Sequence, residues 1–340
     1  MRRGLLLPAV AVALAFAACG TGPTAPPVPP TSPVPSADRP AGPSSGTHSP
    51  ADAPEPDTAP ALSATPTAPP PSTSAPPAEP ELPLGGRAIL DHARVVAYYG
   101  GPGGPGLGIL GSAPPEQMVA QIRASAQQYA GFGLPVQPAM ELITTVAQAA
   151  PGADGLYSKP IPLATVQHYA AVAAQYKMLL ILDFQPGRGE FLPQVQRFAA
   201  VLADPDVSVA LDPEWKVGPD QVPARVIGSA SAAAINAVGA YLSGIVAAHD
   251  LPDKLMLVHQ FRSQMLPDRS DIAQHGGVEV VLHADGFGTQ AQKLATWRAL
   301  AFPGRPFGAG FKLFLRQDTD LMSPAQVMQL VPRPDVVTYQ

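Results

Sequence analysis

Asp206-Val207-Ser208-Val209-Ala210-Leu211-Asp212-Pro213-Glu214-Trp215 alternates bulky with small or polar side chains and then breaks at a proline. Val207, Val209 and Leu211 share one parity, and Ser208, Ala210 and Asp212 share the other. Successive side chains of a strand point to opposite faces, so the two rows line different surfaces. Large residues on one row suit a layer of helices, and small residues on the other suit a crowded interior. That combination belongs to a sheet covered on both faces. Continued by two residues, the strand would carry Glu214 inward beside Asp212, about 7 Å further along.

Similar short runs recur at intervals of about 30 to 40 residues, the rhythm of βα units around a parallel sheet. They are Arg94 to Tyr99, Ala139 to Thr145, Met178 to Phe184, Asp206 to Asp212, Lys254 to Phe261, Val278 to Asp285, Gly310 to Leu315 and Asp335 to Gln340. Amphipathic, Ala-rich patterns fall between them at Pro115 to Ala130, Leu163 to Tyr176, Phe191 to Ala203, Ala230 to Ala248, Gln290 to Leu300 and Pro324 to Leu330, with a short, weak one at Arg269 to Gln274. Ser323-Pro324 is a helix start, because proline fits the first helical turn. Residues 83–340 span about the 250 residues of one barrel, so the expected fold is α/β, a single (β/α)8 TIM-type barrel, with an open doubly wound sheet as the alternative. The chain stops at the eighth strand, and Leu84 to His92 is the segment expected to cover it. The Gly100-Gly101-Pro102-Gly103-Gly104-Pro105-Gly106 run follows the first strand, but its prolines remove amide donors and no helix follows at once, so it reads as a mobile rim loop rather than a phosphate cradle.

Upstream of the barrel the chain changes character. Met1-Arg2-Arg3, the apolar stretch Gly4 to Phe16 and Ala17-Ala18-Cys19 form a charged, an apolar and a small-residue region in order, the build of an export signal. This segment resembles a bacterial lipoprotein signal, although Phe16 stands where leucine is usual. The resemblance implies cleavage before Cys19, lipidation of that sole cysteine, and anchoring to the outer face of the cell membrane. An ordinary signal peptide cut near Ala18 is the alternative. From 20 to 82 roughly a third of the residues are proline and no apolar periodicity survives, which is expected of a disordered tether. The expected organisation is therefore 1–19 signal, 20–82 linker and 83–340 barrel.

Composition narrows the partners. With 26 acidic against 21 basic residues and no basic cluster, no nucleic-acid partner is expected. The only long apolar run is N-terminal, so a multispan membrane protein is excluded and the membrane is met through the lipid anchor alone. One cysteine permits neither an intrachain disulfide nor a Cys-rich zinc site, and no nucleophile elbow or phosphate loop occurs.

In a barrel of this kind the chemistry stands at the C-terminal ends of the strands. Here those ends carry Tyr98-Tyr99, Thr144-Thr145, Asp183-Phe184-Gln185, Asp212-Pro213-Glu214-Trp215, His259-Gln260-Phe261, His283-Ala284-Asp285, Arg316-Gln317-Asp318 and Tyr339-Gln340. Carboxylates, imidazoles, amides and aromatic rings in one circle suit a polyol. Glu214 is the candidate general acid/base, because Asp212 beside it raises its pKa. Asp285, inward on the sixth strand with His283 and Glu279, is the candidate opposing carboxylate. Tyr98, Tyr99, Asp183, Gln185, Trp215, His259, Gln260, His283, Lys312 and Gln340 are the candidate substrate contacts. The acids after the fourth and sixth strands are expected to share one water-accessible crater. No HxH or HExxH spacing occurs, so neither metal nor cofactor is assigned. A metal-dependent alternative would join His259 and His283 with Asp183 or Asp285 around zinc or manganese.

Val96-Ala97-Tyr98-Tyr99-Gly100, Gly108-Ile109-Leu110-Gly111, Leu211-Asp212-Pro213-Glu214-Trp215, Val258-His259-Gln260-Phe261, Ala284-Asp285-Gly286-Phe287-Gly288 and Phe311-Lys312-Leu313-Phe314 together resemble an uncharacterised family of secreted bacterial, actinobacterial-type lipoproteins. That likeness implies export and a barrel. Asp212-Pro213-Glu214 is also similar to the D-x-E on strand four of barrel glycosidases of the lysozyme and chitinase types. The first type carries an Asp on strand one, where this chain has Tyr98 and Tyr99. The second carries a longer D-x-x-D-x-D-x-E that is missing here. The expected function is an envelope-anchored glycoside hydrolase acting on a cell-envelope or extracellular polysaccharide. A non-catalytic glycan-binding or scaffolding lipoprotein is the alternative.

Overall fold

A computed structural model describes residues 79–301 and 306–340 of the chain. The leader, Cys19 and nearly all of the linker lie outside these residues. Among the described residues the strands are β1 (Arg94–Gly100), β2 (Val136–Ala147), β3 (Ser158–Pro160), β4 (Leu179–Phe184), β5 (Val207–Leu211), β6 (Lys254–Gln260), β7 (Val278–Ala284), β8 (Gly308–Leu313) and β9 (Val336–Tyr339). All but β3 pair in parallel in the order β1-β2-β4-β5-β6-β7-β8-β9, and β9 returns to β1, so the sheet closes into an eight-stranded barrel. The short β3 is an antiparallel addition to the end of β2. Helices α1 (Pro115–Gln127), α2 (Leu163–Gln175), α3 (Phe191–Gln196), α4 (Ala199–Leu202), α5 (Ala232–His249), α6 (Gln290–Leu300) and α7 (Pro324–Val327) surround it. The expected Phe191 to Ala203 helix is thus two short ones, and the weak Arg269 to Gln274 pattern reduces to a 3-10 turn at Arg269–Asp271.

The alternation in the strands explains the closure. Val95, Ala97, Ala139, Leu179, Ile181, Ala210, Leu255, Leu257, Val281 and Val336 fill the lumen. Val207, Val209, Leu211, Met256, Val258 and Val280 pack outward with the helices. Ser323 and Thr289 each accept the amide three residues on, with Gln326 and Gln292 completing capping boxes, which fixes the starts of α7 and α6. The α5 helix is a second long apolar stretch, with a mean hydropathy of 1.3 over 18 residues. Its Ile235, Val238 and Leu242 are buried in the outer core.

The segment before β1, expected from the sequence to cover the closing strand, instead plugs the bottom of the barrel. Leu82 and Ile89 join the lumen cluster, and the amides of Ile89 and Leu90 donate to Glu279. The outer face of β9 is instead met by Tyr129, whose hydroxyl lies 2.8 Å from that of Tyr339. Beside the plug lies a cleft of about 1070 Å³, lined by Leu82, Leu84, Gln167, Ala170, Lys177 and Asp206. At the other end, the Gly-rich run after β1 leads into two 3-10 turns, Pro105–Leu107 and Ile109–Ser112. Gly100 packs against the backbone of Gly108 and leaves no room for a Cβ there.

Gly310 in β8 has a role in the lumen. A Cβ at this position would run into the ring of His283 on the neighbouring strand, and both sites are too tightly packed to yield. Gly310→Ala is expected to cost roughly 1–3 kcal/mol through overpacking, measured as a fall in the urea midpoint. An unchanged midpoint would contradict this packing.

Candidate active site

Above the apolar lumen the inward-facing row turns polar on every strand. Tyr99 comes from β1, Glu141 from β2, Asp183 from β4, Asp212 from the end of β5, His259 from β6, His283 and Asp285 from β7, Lys312 from β8 and Thr338 from β9. His259 stands at the centre. Its Nε2 is 2.8 Å from Glu141 Oε1 and 3.5 Å from Asp183 Oδ2, and its Nδ1 faces Asp285 Oδ2 at 3.3 Å. The Thr338 hydroxyl donates to Glu141 Oε2 at 2.9 Å and lies 3.1 Å from His283 Nε2. Tyr99 donates to Asp183 Oδ1 at 3.3 Å and accepts from Gln185 Nε2 at 3.1 Å. Lys312 Nζ lies 3.5 Å above the Tyr99 ring and 3.9 Å from Asp285.

Strand β5 ends at Leu211, so Asp212 and Glu214 do not sit two apart on a strand. Pro213–Trp215 forms a 3-10 turn, which proline at its start favours. The turn lets the Trp215 indole donate to Asp212 Oδ2 at 3.0 Å and keeps Glu214 half-buried at the edge of the cluster. Lys216, the basic neighbour that would have neutralised Glu214, is held by Glu190 at 2.8 Å. Glu214 makes no ion pair among the described residues.

Burial and crowding of acids set the charges. Burial, then Asp212 and Asp285, push Glu214 well above the usual carboxylate range. Burial raises Asp212 to about 6, and burial with Asp212 raises Asp183. Burial also works against ionisation of Glu141 and Asp285. For Glu141 the charge and hydrogen bond of His259 more than offset it and hold the carboxyl at about 2. For Asp285 the hydrogen bond and charge of His259, with Lys312, keep the pKa below its ordinary value. His259 is driven down by burial and Lys312, but Glu141 and Asp285 outweigh both and raise it. Burial, with His259 alongside, lowers His283 to about 3, so it is a neutral ring.

The structure therefore unites Glu214, Asp212, Asp285, Asp183, Tyr99, Gln185, Trp215, His259, His283 and Lys312. Two candidates point elsewhere. Tyr98 is on the outer parity, its hydroxyl 2.7 Å from Ser125 on α1. Gln260 also faces outward, accepting from Arg269 and donating to the carbonyl of Arg262. The backbone of Gln340 closes β8 at Leu313, and its side chain makes no hydrogen bond among the described residues. Glu141 and Thr338 were not foreseen. Glu141 is mid-strand rather than at a strand end, yet a lone acid inside Met140-Glu141-Leu142-Ile143 signals a partnered buried charge.

The expected open crater is not seen. Asp183, Asp212 and Asp285 are 0, 2 and 5 % exposed, whereas Glu214 and Trp215 are partly exposed. Phe287, 46 % exposed, stands edge-on to Phe314 and offers an apolar surface beyond Asp285. Among the described residues, the donors that approach within 4.8 Å of one another, as a metal would need, are Glu141, Asp183 and His259. His283 is not among them. No protein-family model matches the chain, and a search of curated proteins finds no match.

Proposed function

We propose that the barrel mouth hydrolyses a glycosidic bond in a cell-envelope or extracellular polysaccharide. Glu214 is the proton donor, Asp285 the opposing carboxylate, and Asp212 keeps Glu214 protonated. The observation that carries this reading is the contrast between the two carboxylates. Glu214 is only partly buried and makes no ion pair among the described residues, whereas Asp285 is gripped by His259 at 3.3 Å with Lys312 at 3.9 Å. A pair held in opposite environments supplies one acid and one base. Trp215 and Phe287 supply faces for a sugar ring, and the export signal and tether read from the sequence would bring the domain to such a polymer. A non-catalytic glycan binder shares every feature except the unpaired, proton-retaining Glu214.

Incubating the full chain with fragmented envelope polysaccharide and counting new reducing ends tests the proposal. Release of reducing ends is the expected result, and none at any pH overturns it. The pH profile carries a further expectation. Glu214 must hold its proton to donate it, and its pKa is raised from an ordinary 4.5 by burial, Asp212 and Asp285, so activity falls with rising pH only beyond the usual carboxylate range. An alkaline limb centred at or below 4.5 would remove Glu214 from the acid role.

A further inference from the structure

We propose that Glu141, Asp183 and His259 hold a divalent cation of the zinc or manganese class on the barrel axis, beneath the mouth carboxylates. The proposal does not depend on hydrolysis, and its donor set differs from the one the sequence suggested. The three side chains come from β2, β4 and β6 and are fully buried. One ligand atom from each of the three residues lies within 4.8 Å of the others. His259 Nε2 is 2.8 Å from Glu141 Oε1 and 3.5 Å from Asp183 Oδ2. Two ligand atoms each bound at about 2.0–2.2 Å and spread by a right or tetrahedral angle stand roughly 3.0–3.5 Å apart.

Each atom facing away from this centre has a polar neighbour, through a hydrogen bond for the two carboxylates and an ion-pair approach for the imidazole. His259 Nδ1 faces Asp285, Glu141 Oε2 accepts from Thr338, and Asp183 Oδ1 accepts from Tyr99, which is itself fixed by Gln185. An outer shell that orients each ligand and leaves one atom per residue pointing inward is the usual build of a metal site. The rival arrangement is a closed ion pair, with protonated His259 donating to Glu141. It leaves Asp183 Oδ2 fully buried with no hydrogen-bond partner, a costly state for a carboxylate oxygen. A cation satisfies all three inward atoms together. Its charge also offsets the surplus of acids: Glu141, Asp183, Asp212, Glu214 and Asp285 crowd around His259 and Lys312, Lys312 leans on Tyr99 and Asp285, and Lys293, whose charge also reaches Asp285, is paired with Asp318. His259 ties the ion to Asp285, so the cation positions the mouth.

The test uses the full chain stripped with chelator and reloaded with Mn²⁺ or Zn²⁺ alone. About one equivalent per chain by elemental analysis is expected, with a raised melting temperature that chelator reverses. Asp183→Asn and Thr338→Val are expected to weaken loading tenfold or more, the latter while leaving all three ligands in place. No retained metal with an unmoved melting temperature overturns the proposal. Equal loading of the parent and both variants does so too, because the ion would then lie elsewhere.

Discussion

Glu214→Gln is expected to lower sugar release by roughly 10²- to 10⁴-fold, the usual worth of a general acid/base, while sugar binding is retained. The amide keeps the shape of the side chain and its place beside Trp215 but has no acidic proton to give. Asp212 cannot take over, because it is 2 % exposed and its Oδ2 is occupied by the indole N–H. A second readout separates this role from a structural one. Glu214 has a folded-state pKa above its ordinary 4.5. Its protonated form therefore favours the fold, fully below about 4.5, and that support is lost as pH rises through the folded-state value. In alkaline buffer the parent carries an ionised, poorly solvated carboxylate that the variant lacks. Glu214→Gln should then melt higher than the parent in alkaline buffer and equally in acid, an exchange of stability for activity. Steady-state kinetics, sugar titration and melting curves at both pH values check this. A variant that cleaves as fast as the parent contradicts the assignment.

His259→Leu is expected to give the largest loss of stability of any single change in the site. The ring holds Glu141 at 2.8 Å, Asp285 at 3.3 Å and Asp183 at 3.5 Å. Removing it strands three buried carboxyl groups. Breaking a buried pair from one side costs roughly 3–5 kcal/mol, and each kcal/mol moves the melting temperature by about 2–4 °C for a domain near this size. Loss of Lys216 from its half-exposed pair with Glu190 should cost at most about 1 kcal/mol. Adding Glu141→Gln to His259→Leu should recover part of the loss, since the two residues share one interaction. Urea denaturation of the four proteins decides it, and a loss below about 1 kcal/mol for His259→Leu contradicts the network.

The barrel was legible because its strands are buried on both faces and keep a strict alternation. Val207, Val209 and Leu211 face helices while Ala210 faces the lumen, as the bare sequence implies. The same rule, carried further, would have corrected the site. Tyr98 shares the parity of Val96, and Gln260 that of Met256 and Val258, all outward. Tyr99 and His259 have the inward parity. Strand ends are not the only source of site groups: Glu141 is mid-strand, and an acid inside an apolar strand signals a buried partner. The turn at Pro213–Trp215 and the plug at Leu82 and Ile89 were not legible, because neither follows a period. The first depends on a local hydrogen bond from Trp215, and the second on Glu279 waiting at the far end of β7 for two amides.

The most direct measurement is a crystal structure of the Glu214→Gln protein soaked with an oligosaccharide from the polysaccharide it acts on. The account predicts a glycosidic oxygen within about 3 Å of the side chain at position 214, with Asp285 across the sugar at a carboxyl separation of about 5–5.5 Å for retention or 6.5–9.5 Å for inversion. A sugar seated elsewhere, such as the cleft beside Leu82, with nothing between positions 214 and 285, would contradict it.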